Sequence, residues 1–143
     1  MKPYAALVLA ALFLASCTVR KGNGESIYLT GINDRGVLAA SNLDRTDLKD
    51  KAMTISCATC HGEDRSGRRN PVPDLGPFSA PEITAGTLLD SIDGRRPAYT
   101  RESLIATLRS GRNAGGRGMH YPMPRWELDD KDAGDLVDFL LKR

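Results

Sequence analysis

The chain has 143 residues, of which 41% are hydrophobic and 27% charged, and its 20 basic and 18 acidic residues give a formal net charge of +2. A charge so close to balance argues against nucleic acid as a partner, because nucleic-acid-binding domains concentrate lysine and arginine on their surface. The sequence has no internal repeat, and its length suits one small domain with a single hydrophobic core.

Residues 1–16 have the features of an export signal. Lys2 supplies a positive start, and the mostly apolar run over 4–14 is long enough for a signal sequence but too short to span a membrane. The sequence LASC at 14–17 resembles a bacterial lipobox, which predicts that Cys17 becomes the lipid-modified first residue of the mature chain. An ordinary cleavage site followed by a cysteine is the alternative. Several acyl chains on one residue would anchor the protein to a membrane without spanning it.

The predicted location is therefore a bacterial membrane, with the protein facing the periplasm. Thr18 follows the cysteine where some inner-membrane lipoproteins have aspartate, which favours the outer membrane. Residues 17–30 are predicted to be the lipidated cysteine and a flexible tether, since TVRKGNGES is short, polar and glycine-rich. The folded domain is expected over 31–143, and the segment 24–31 is expected to be irregular chain packed across it.

A helix capped by Asp44 or Thr46 is expected to run into residues 57–61, because apolar residues recur upstream at helical spacing. Its buried face would contain Leu48, Ala52, Ile55 and Thr59. This face is predicted to pack against the last helix of the chain.

The most informative motif is Cys57-Ala58-Thr59-Cys60-His61, since C-x-x-C-H is the attachment signature of a covalent c-type haem. In a helix, positions i, i+3 and i+4 share a face, so both thiols and the imidazole point to the same side. Cys57 and Cys60 can then form thioethers with the haem vinyl groups, and His61 can be the proximal iron ligand. One haem is predicted, because no second C-x-x-C-H is present.

Two other interpretations of the cysteine pair are weaker. A zinc site usually has four ligands in two pairs, and His120 is the only other soft ligand left once Cys17 is lipidated. A thioredoxin-like C-x-x-C would lie in a β-α-β pattern, which this sequence lacks.

Three further helical segments are predicted after the motif. A short one covers Thr87–Ile92, a second starts near Thr100 and ends at Gly111, and a third follows Asp129 as its N-cap. The buried faces of the two longer helices consist of Leu104, Ile105 and Leu108 in one and Ala133, Leu136, Val137 and Leu140 in the other. No run alternates at period two, so the predicted class is all-α, with helices wrapped around one haem.

This pattern resembles a class I cytochrome c, in a bacterial lipoprotein form. The resemblance covers residues 25–143 and depends most on CATCHG at 57–62 and YPMPRW at 121–126. It implies a cytochrome c fold, one covalent haem c, histidine and methionine as axial ligands, and an electron carrier rather than an enzyme. In that family a Pro-x-Leu about a dozen residues past the haem histidine provides a carbonyl for the imidazole, and Pro73 matches this position. An ordinary loop proline is the alternative for Pro73.

Three residues are candidates for the distal ligand: Met119, His120 and Met123. Pro122 and Pro124 restrict the backbone on both sides of Met123, so less entropy is lost when the thioether binds. The Met-Pro pattern of the family also favours Met123, with His120 and Met119 as alternatives.

Histidine–methionine ligation would fill both axial positions and favours electron transfer over catalysis. The expected function is a membrane-tethered carrier of one electron between periplasmic or membrane redox partners. The alternatives are a haem subunit of a periplasmic dehydrogenase complex and a haem-based sensor with a displaceable distal ligand. Trp126 has only a donor to offer, which suits a haem propionate, and plain packing is its alternative role.

Charge is unevenly distributed along the chain. Residues 62–126 contain ten basic and seven acidic residues, whereas 127–143 contain three and six. The basic part includes four arginines in loops expected around the haem edge, namely Arg95, Arg96, Arg112 and Arg117. These arginines predict a redox partner with an acidic surface, and a solvated loop without a partner is the alternative.

Overall fold

A computed structural model describes residues 21–43, 54–93 and 96–143. Over these ranges the helices are α1 Asn23–Thr30, α2 Cys57–His61, α3 Ala85–Leu89, α4 Arg101–Ser110 and α5 Asp130–Leu141, with a 3₁₀-helix at Pro73–Leu75. The strands, two residues each, are β1 Ala40–Ser41, β2 Arg68–Arg69, β3 Ser79–Ala80 and β4 Trp126–Glu127. The signal sequence and Cys17 lie outside the described residues. None of the described helices is long and apolar enough to cross a membrane.

The strands form two antiparallel pairs, β1 with β4 and β2 with β3. The described part of the chain is therefore mixed rather than all-α, although its larger elements are helices. Each pair joins distant loops rather than building a sheet: Ser41 lies opposite Trp126, and Arg68 lies opposite Ala80. Pairs this short show no alternating pattern in the sequence.

Residues 23–30 form a helix, so the irregular segment expected over 24–31 is wrong, and a flexible tether cannot extend to residue 30. Ile27 and Tyr28 are 2% and 0% exposed. The helix packs against α5, and Gly24 lies so close to the backbone of Asp135 that there is no room for a Cβ. Gly31 ends the helix at a φ of 74°, where its N–H donates to the carbonyl of Ile27.

The C-x-x-C-H motif begins its own short helix, so the expected helix running through residue 55 into the motif is also wrong. Ser56 is the N-cap of α2: its hydroxyl accepts from the Thr59 N–H at 3.3 Å, and the Thr59 hydroxyl accepts from the Ser56 N–H at 3.1 Å. This reciprocal capping box starts the helix at Cys57. The proposed caps Asp44 and Thr46, with Leu48 and Ala52, lie outside the described residues. The partner of α5 is α1 instead.

The helices predicted near Thr100 and Asp129 are confirmed. Thr100 and Ser103 form a capping box, and Gly111 ends α4 in the left-handed conformation. Asp129 caps α5 by accepting from the Asp132 N–H at 2.7 Å. All of the predicted core positions in these two helices are buried except Ile105, which is half-buried. The short helix lies at Ala85–Leu89 rather than at 87–92, because Asp90 already has extended backbone angles.

The buried apolar side chains form one core with α5 at its centre. Helix α5 packs against α1, α3 and α4, and α1 also packs against α2. The core cluster includes Cys57, Ala58 and Trp126, and Cys60 and Met123 pack against it. The motif and the predicted ligand loop therefore meet the same core.

Candidate haem-binding site

Helix α2 places Cys57, Cys60 and His61 together, as the motif predicts. Cys57 and His61 are 9% and 6% exposed, Cys60 is half-buried, and neither cysteine is in a disulfide. Burial raises the pKa of the Cys57 thiol to about 12 and also raises the pKa of Cys60. Before haem is attached, both are therefore protonated thiols at neutral pH, unlike the reactive thiolates of thioredoxin-like sites, whose pKa is lowered.

The imidazole of His61 is oriented by the backbone. Its Nδ1 lies 2.8 Å from the carbonyl oxygen of Pro81, and only a protonated Nδ1 can donate to that oxygen. Burial lowers the pKa of His61, and the hydrogen bond to Pro81 opposes this only in part. The ring is therefore neutral at neutral pH, with an unprotonated Nε2 available as an iron ligand.

Pro73 does not have the predicted role. It begins the 3₁₀-helix, and the carbonyl that faces His61 belongs to Pro81, twenty residues along the chain. The pairing of β2 with β3 brings Pro81 back to the motif. Gly67 makes this approach possible, because a Cβ there would collide with the backbone of Ala80, Pro81 and Glu82.

A sequence signal for Pro81 existed. Pro81-Glu82-Ile83 has the same pattern of proline, any residue and aliphatic residue as Pro73-Asp74-Leu75, at a longer spacing from His61. The pairing of β2 with β3 is needed to choose Pro81 over Pro73, and strands of two residues leave no recognisable pattern in the sequence.

Tyr28 is a second residue that the sequence analysis missed. It is fully buried on α1, and its hydroxyl donates to the carbonyl of Gly62 at 2.5 Å, directly after the motif. Burial raises the pKa of this phenol, so the hydroxyl keeps its proton and remains a donor. Tyr28 thus fixes the C-terminal end of the haem motif to α1.

The loop over 119–124 distinguishes the three candidates for the distal ligand. Met123 is half-buried and packs against the core, between the buried Pro122 and Pro124. His120 is exposed, and its carbonyl accepts from the Met123 N–H at 3.0 Å in a turn. Met119 is half-buried. The turn thus directs Met123 inward and His120 toward solvent.

The environment of the Trp126 side chain fits a bound haem. Its ring is 6% exposed, and its Nε1 is the one buried side-chain N or O atom in the described ranges that has no hydrogen-bond partner. A buried donor without an acceptor costs about 1–3 kcal/mol. A haem propionate is an acceptor of the required kind, and an indole, as a donor only, suits a carboxylate.

Comparison with known proteins places this site in a family. The family model for cytochrome c matches residues 40–143, which is well over half of the chain and includes α2, Pro81, Met123 and Trp126. Comparisons with curated proteins and with solved structures found no significant match. Members of the family bind haem c covalently, use it to transfer electrons and are generally carriers rather than enzymes. This chain belongs to the cytochrome c family, and its cofactor is a single covalently bound haem c.

Proposed function

We propose that this chain is a membrane-tethered cytochrome that carries one electron between a donor and an acceptor in the periplasm. Cys57 and Cys60 form the two thioethers, His61 is the proximal ligand and Met123 is the distal ligand. When bound, the haem supplies a reversible ferric–ferrous couple. The observation that carries this proposal is the hydrogen bond between His61 and Pro81, because it leaves Nε2 as the free nitrogen of a buried, neutral imidazole.

The inward position of Met123 supports the carrier function. A thioether ligand raises the reduction potential relative to a second histidine. If His61 and Met123 both bind the iron, it would have no open site for a small molecule. The buried prolines on both sides of Met123 limit how far the loop can move away.

Absorption spectra of the exported holoprotein test the ligand set. Wild type is expected to show a c-type spectrum that survives acid extraction, with a far-red charge-transfer band from the iron–thioether bond. The Met123→Ala variant should keep the covalent haem and lose the band, because alanine has no sulfur. His120→Ala is the matched control from the same turn and should keep the band.

Two outcomes would contradict this assignment. A band that survives in Met123→Ala and disappears in Met119→Ala would move the ligand to Met119. Complete absence of covalent haem from wild type would reject the roles of Cys57, Cys60 and His61 together.

The membrane tether is supported by the lipobox-like sequence before Cys17. A lipid on Cys17 would hold the protein at a bacterial membrane, on the periplasmic side, and Thr18 favours the outer membrane. Cytochrome c domains are usually exported, which agrees with this location. A version in which a cleavable, non-lipidated export signal replaces residues 1–17 should appear in the soluble periplasmic fraction, and a processed chain of this kind that remained in the membrane fraction would contradict the anchor.

The partner proposed for this carrier is a redox protein with an acidic surface. Arg112 and Arg117 are exposed on the loop that leads into the Met123 turn, and the Asn113 side chain fixes that loop by accepting the Arg117 N–H at 3.0 Å. Arg112 donates to the Gly116 carbonyl of its own loop at 3.0 Å and stays exposed. Arg96 is half-buried, its guanidinium donates to carbonyl oxygens of α3 and stacks on Tyr99, and it therefore contributes less to this surface. Arg95 lies outside the described residues.

A further inference from the structure

The hairpin over residues 31–39 carries a cluster of exposed apolar side chains. Ile32, Val37 and Leu38 are 38%, 56% and 41% exposed, and they are three of the five large exposed apolar residues in the described ranges. Ile32 and Leu38 pair across an antiparallel bridge, so their side chains lie next to each other on one face. A cluster of exposed apolar side chains in so short a segment is typical of an interaction surface.

This hairpin is fixed to the start of α1. The Asp34 N–H donates to the side-chain oxygen of Asn23 at 2.7 Å, and the Ser26 hydroxyl donates to the Ile32 carbonyl at 2.8 Å. Asn23 is itself held to α5, because its amide donates to Asp132 and Asp135. The apolar cluster is therefore held next to the first turn of α1.

The start of α1 also fixes how far the domain can be from a lipid on Cys17. Cys17 precedes Asn23 by six residues, and six residues span at most about 20–22 Å even when fully extended. A tether that reached residue 30 would have allowed about twice that distance. The hairpin, bonded to Asn23, therefore stays within a short distance of the acyl chains.

We propose that the hairpin over 31–39 is the membrane-facing surface of the anchored domain, with Ile32, Val37 and Leu38 in contact with the lipid interface. The proposal rests on the lipidation of Cys17 proposed above. Lipid is favoured over a protein partner as the contact of this surface, because the chain before Asn23 is too short to carry the surface far from the bilayer.

The charges around the hairpin favour an apolar contact over attraction to anionic headgroups. Arg35 at its tip forms ion pairs with Asp129 and Asp132, and Lys131 beside it pairs with Asp34 and Asp135. Each of these cations already faces two carboxylates. The exposed apolar side chains are then the groups that gain from contact with lipid.

Labelling of an introduced cysteine tests this contact in the full-length, lipidated holoprotein. The variant is Val37→Cys, at the most exposed position of the cluster. Lipid on Cys17 and haem on Cys57 and Cys60 leave the new cysteine as the one free thiol. The rate of labelling by a membrane-impermeant maleimide is measured on preformed vesicles of phosphatidylethanolamine and phosphatidylglycerol. The same variant, exported by a cleavable, non-lipidated signal that replaces residues 1–17 and therefore free in solution, provides the reference rate.

We expect labelling at position 37 to be about fivefold or more slower on the vesicles than in solution, because an apolar contact places the side chain within the headgroup region. Glu102→Cys is the matched control. It is exposed next to Arg101, which pairs with Asp138, whereas the hairpin is bonded near the other end of α5. Its rate should be the same in both forms.

Equal rates at position 37 on vesicles and in solution would overturn the proposal. Protection at position 37 in the soluble form would assign the cluster to a second copy of the chain and would also overturn it. Mass spectrometry of the N-terminal peptide, made before labelling, separates both results from a failure of lipidation. An unacylated Cys17 would reject the tether itself.

Discussion

At the scale of single residues, Trp126 is the side chain whose environment most requires a group from outside the polypeptide. Its buried Nε1 has no acceptor in the described part of the chain. A haem propionate that accepted this N–H would have its negative charge partly neutralised. Without the donor, the uncompensated negative charge would favour ferric over ferrous iron.

Trp126→Phe is therefore expected to lower the reduction potential of the holoprotein as well as its stability. The lost hydrogen bond to a charged acceptor should reduce the free energy of unfolding by about 1.5–3 kcal/mol, with a further loss from the smaller ring. Leu128→Ala is the packing control, because Leu128 is buried two residues further along. It should cost about 2–5 kcal/mol in denaturant unfolding and leave the potential unchanged. An unchanged potential in Trp126→Phe would mean that the indole only packs.

The residues proposed for the haem site differ in how far the sequence could predict their positions. The positions of Cys57, Cys60 and His61 depend on one turn of helix, so local spacing was enough. Met123 was favoured by its two neighbouring prolines, which is again local information. Pro81 could not be chosen over Pro73, because its place beside His61 depends on the pairing of β2 with β3 and on the close approach at Gly67.

At the scale of elements, α1 was missed while α4 and α5 were predicted. Helices α4 and α5 begin with capping side chains and carry apolar residues every three to four positions. Helix α1 has eight residues, no side-chain cap, and Gly24 on its buried face, where the close contact with α5 excludes a larger side chain. Because the residue in this contact is a glycine, the sequence has no large apolar residue at that position that would predict a buried helix face.

The contact between α1, the hairpin and α5 depends on the carboxylate of Asp132. Its side chain is 8% exposed and accepts from Asn23, Asn33 and Arg35 at 3.0, 2.7 and 2.8 Å. Burial alone would raise the pKa of Asp132, but these donors outweigh it and hold the pKa below its usual value. The stabilisation is therefore complete above the unfolded pKa of about 4 and is lost as the pH falls through the lower folded pKa.

Asp132→Asn should accordingly destabilise the holoprotein at neutral pH by about 2–3 kcal/mol. The NH2 group of the new asparagine would face N–H donors from which the carboxylate accepts hydrogen bonds, so some of these bonds would be lost. The variant's free energy of unfolding should also fall less steeply than that of wild type below about pH 4. Asp138→Asn, at an exposed ion pair with Arg101, is the control and should cost about 1 kcal/mol or less. Denaturant unfolding across this pH range measures both effects. Parallel curves for wild type and Asp132→Asn would show that this carboxylate does not cause the acid sensitivity.

At the scale of the whole molecule, two basic residues of the segment 62–126 form surface ion pairs with acidic residues of the segment 127–143. Arg101 and Arg109 come from the basic part, and they pair with Asp138 and Asp130 of α5. The net charges of the two segments therefore overstate the charge separation on the surface. Arg112 and Arg117 differ, since within the described ranges neither forms an ion pair and both are exposed.

This arrangement predicts that electron transfer with an anionic reagent depends on the loop carrying Arg112 and Arg117. The rate at which ferricyanide oxidises the ferrous holoprotein should fall as salt is added, because the Debye length shortens to about 10 Å at 0.1 M. The double variant Arg112→Gln, Arg117→Gln should react about threefold to tenfold more slowly at low salt and show a weaker salt dependence. Neither substitution touches the proposed ligands, so the spectrum should be unchanged.

Arg101→Gln is the matched control for that variant, because it removes the same type of charge from an ion pair with Asp138 at the far end of α4. Both changes reduce the net charge, but only the loop arginines lie next to the Met123 turn. If Arg101→Gln slowed oxidation as much per charge as the loop variant, the effect would come from overall charge and not from a localised surface. A slower rate confined to the loop variant would instead locate electron exit to the oxidant at the 111–123 loop. The acidic surface of the natural partner would then be expected to meet that loop, while the hairpin over 31–39 remains at the bilayer.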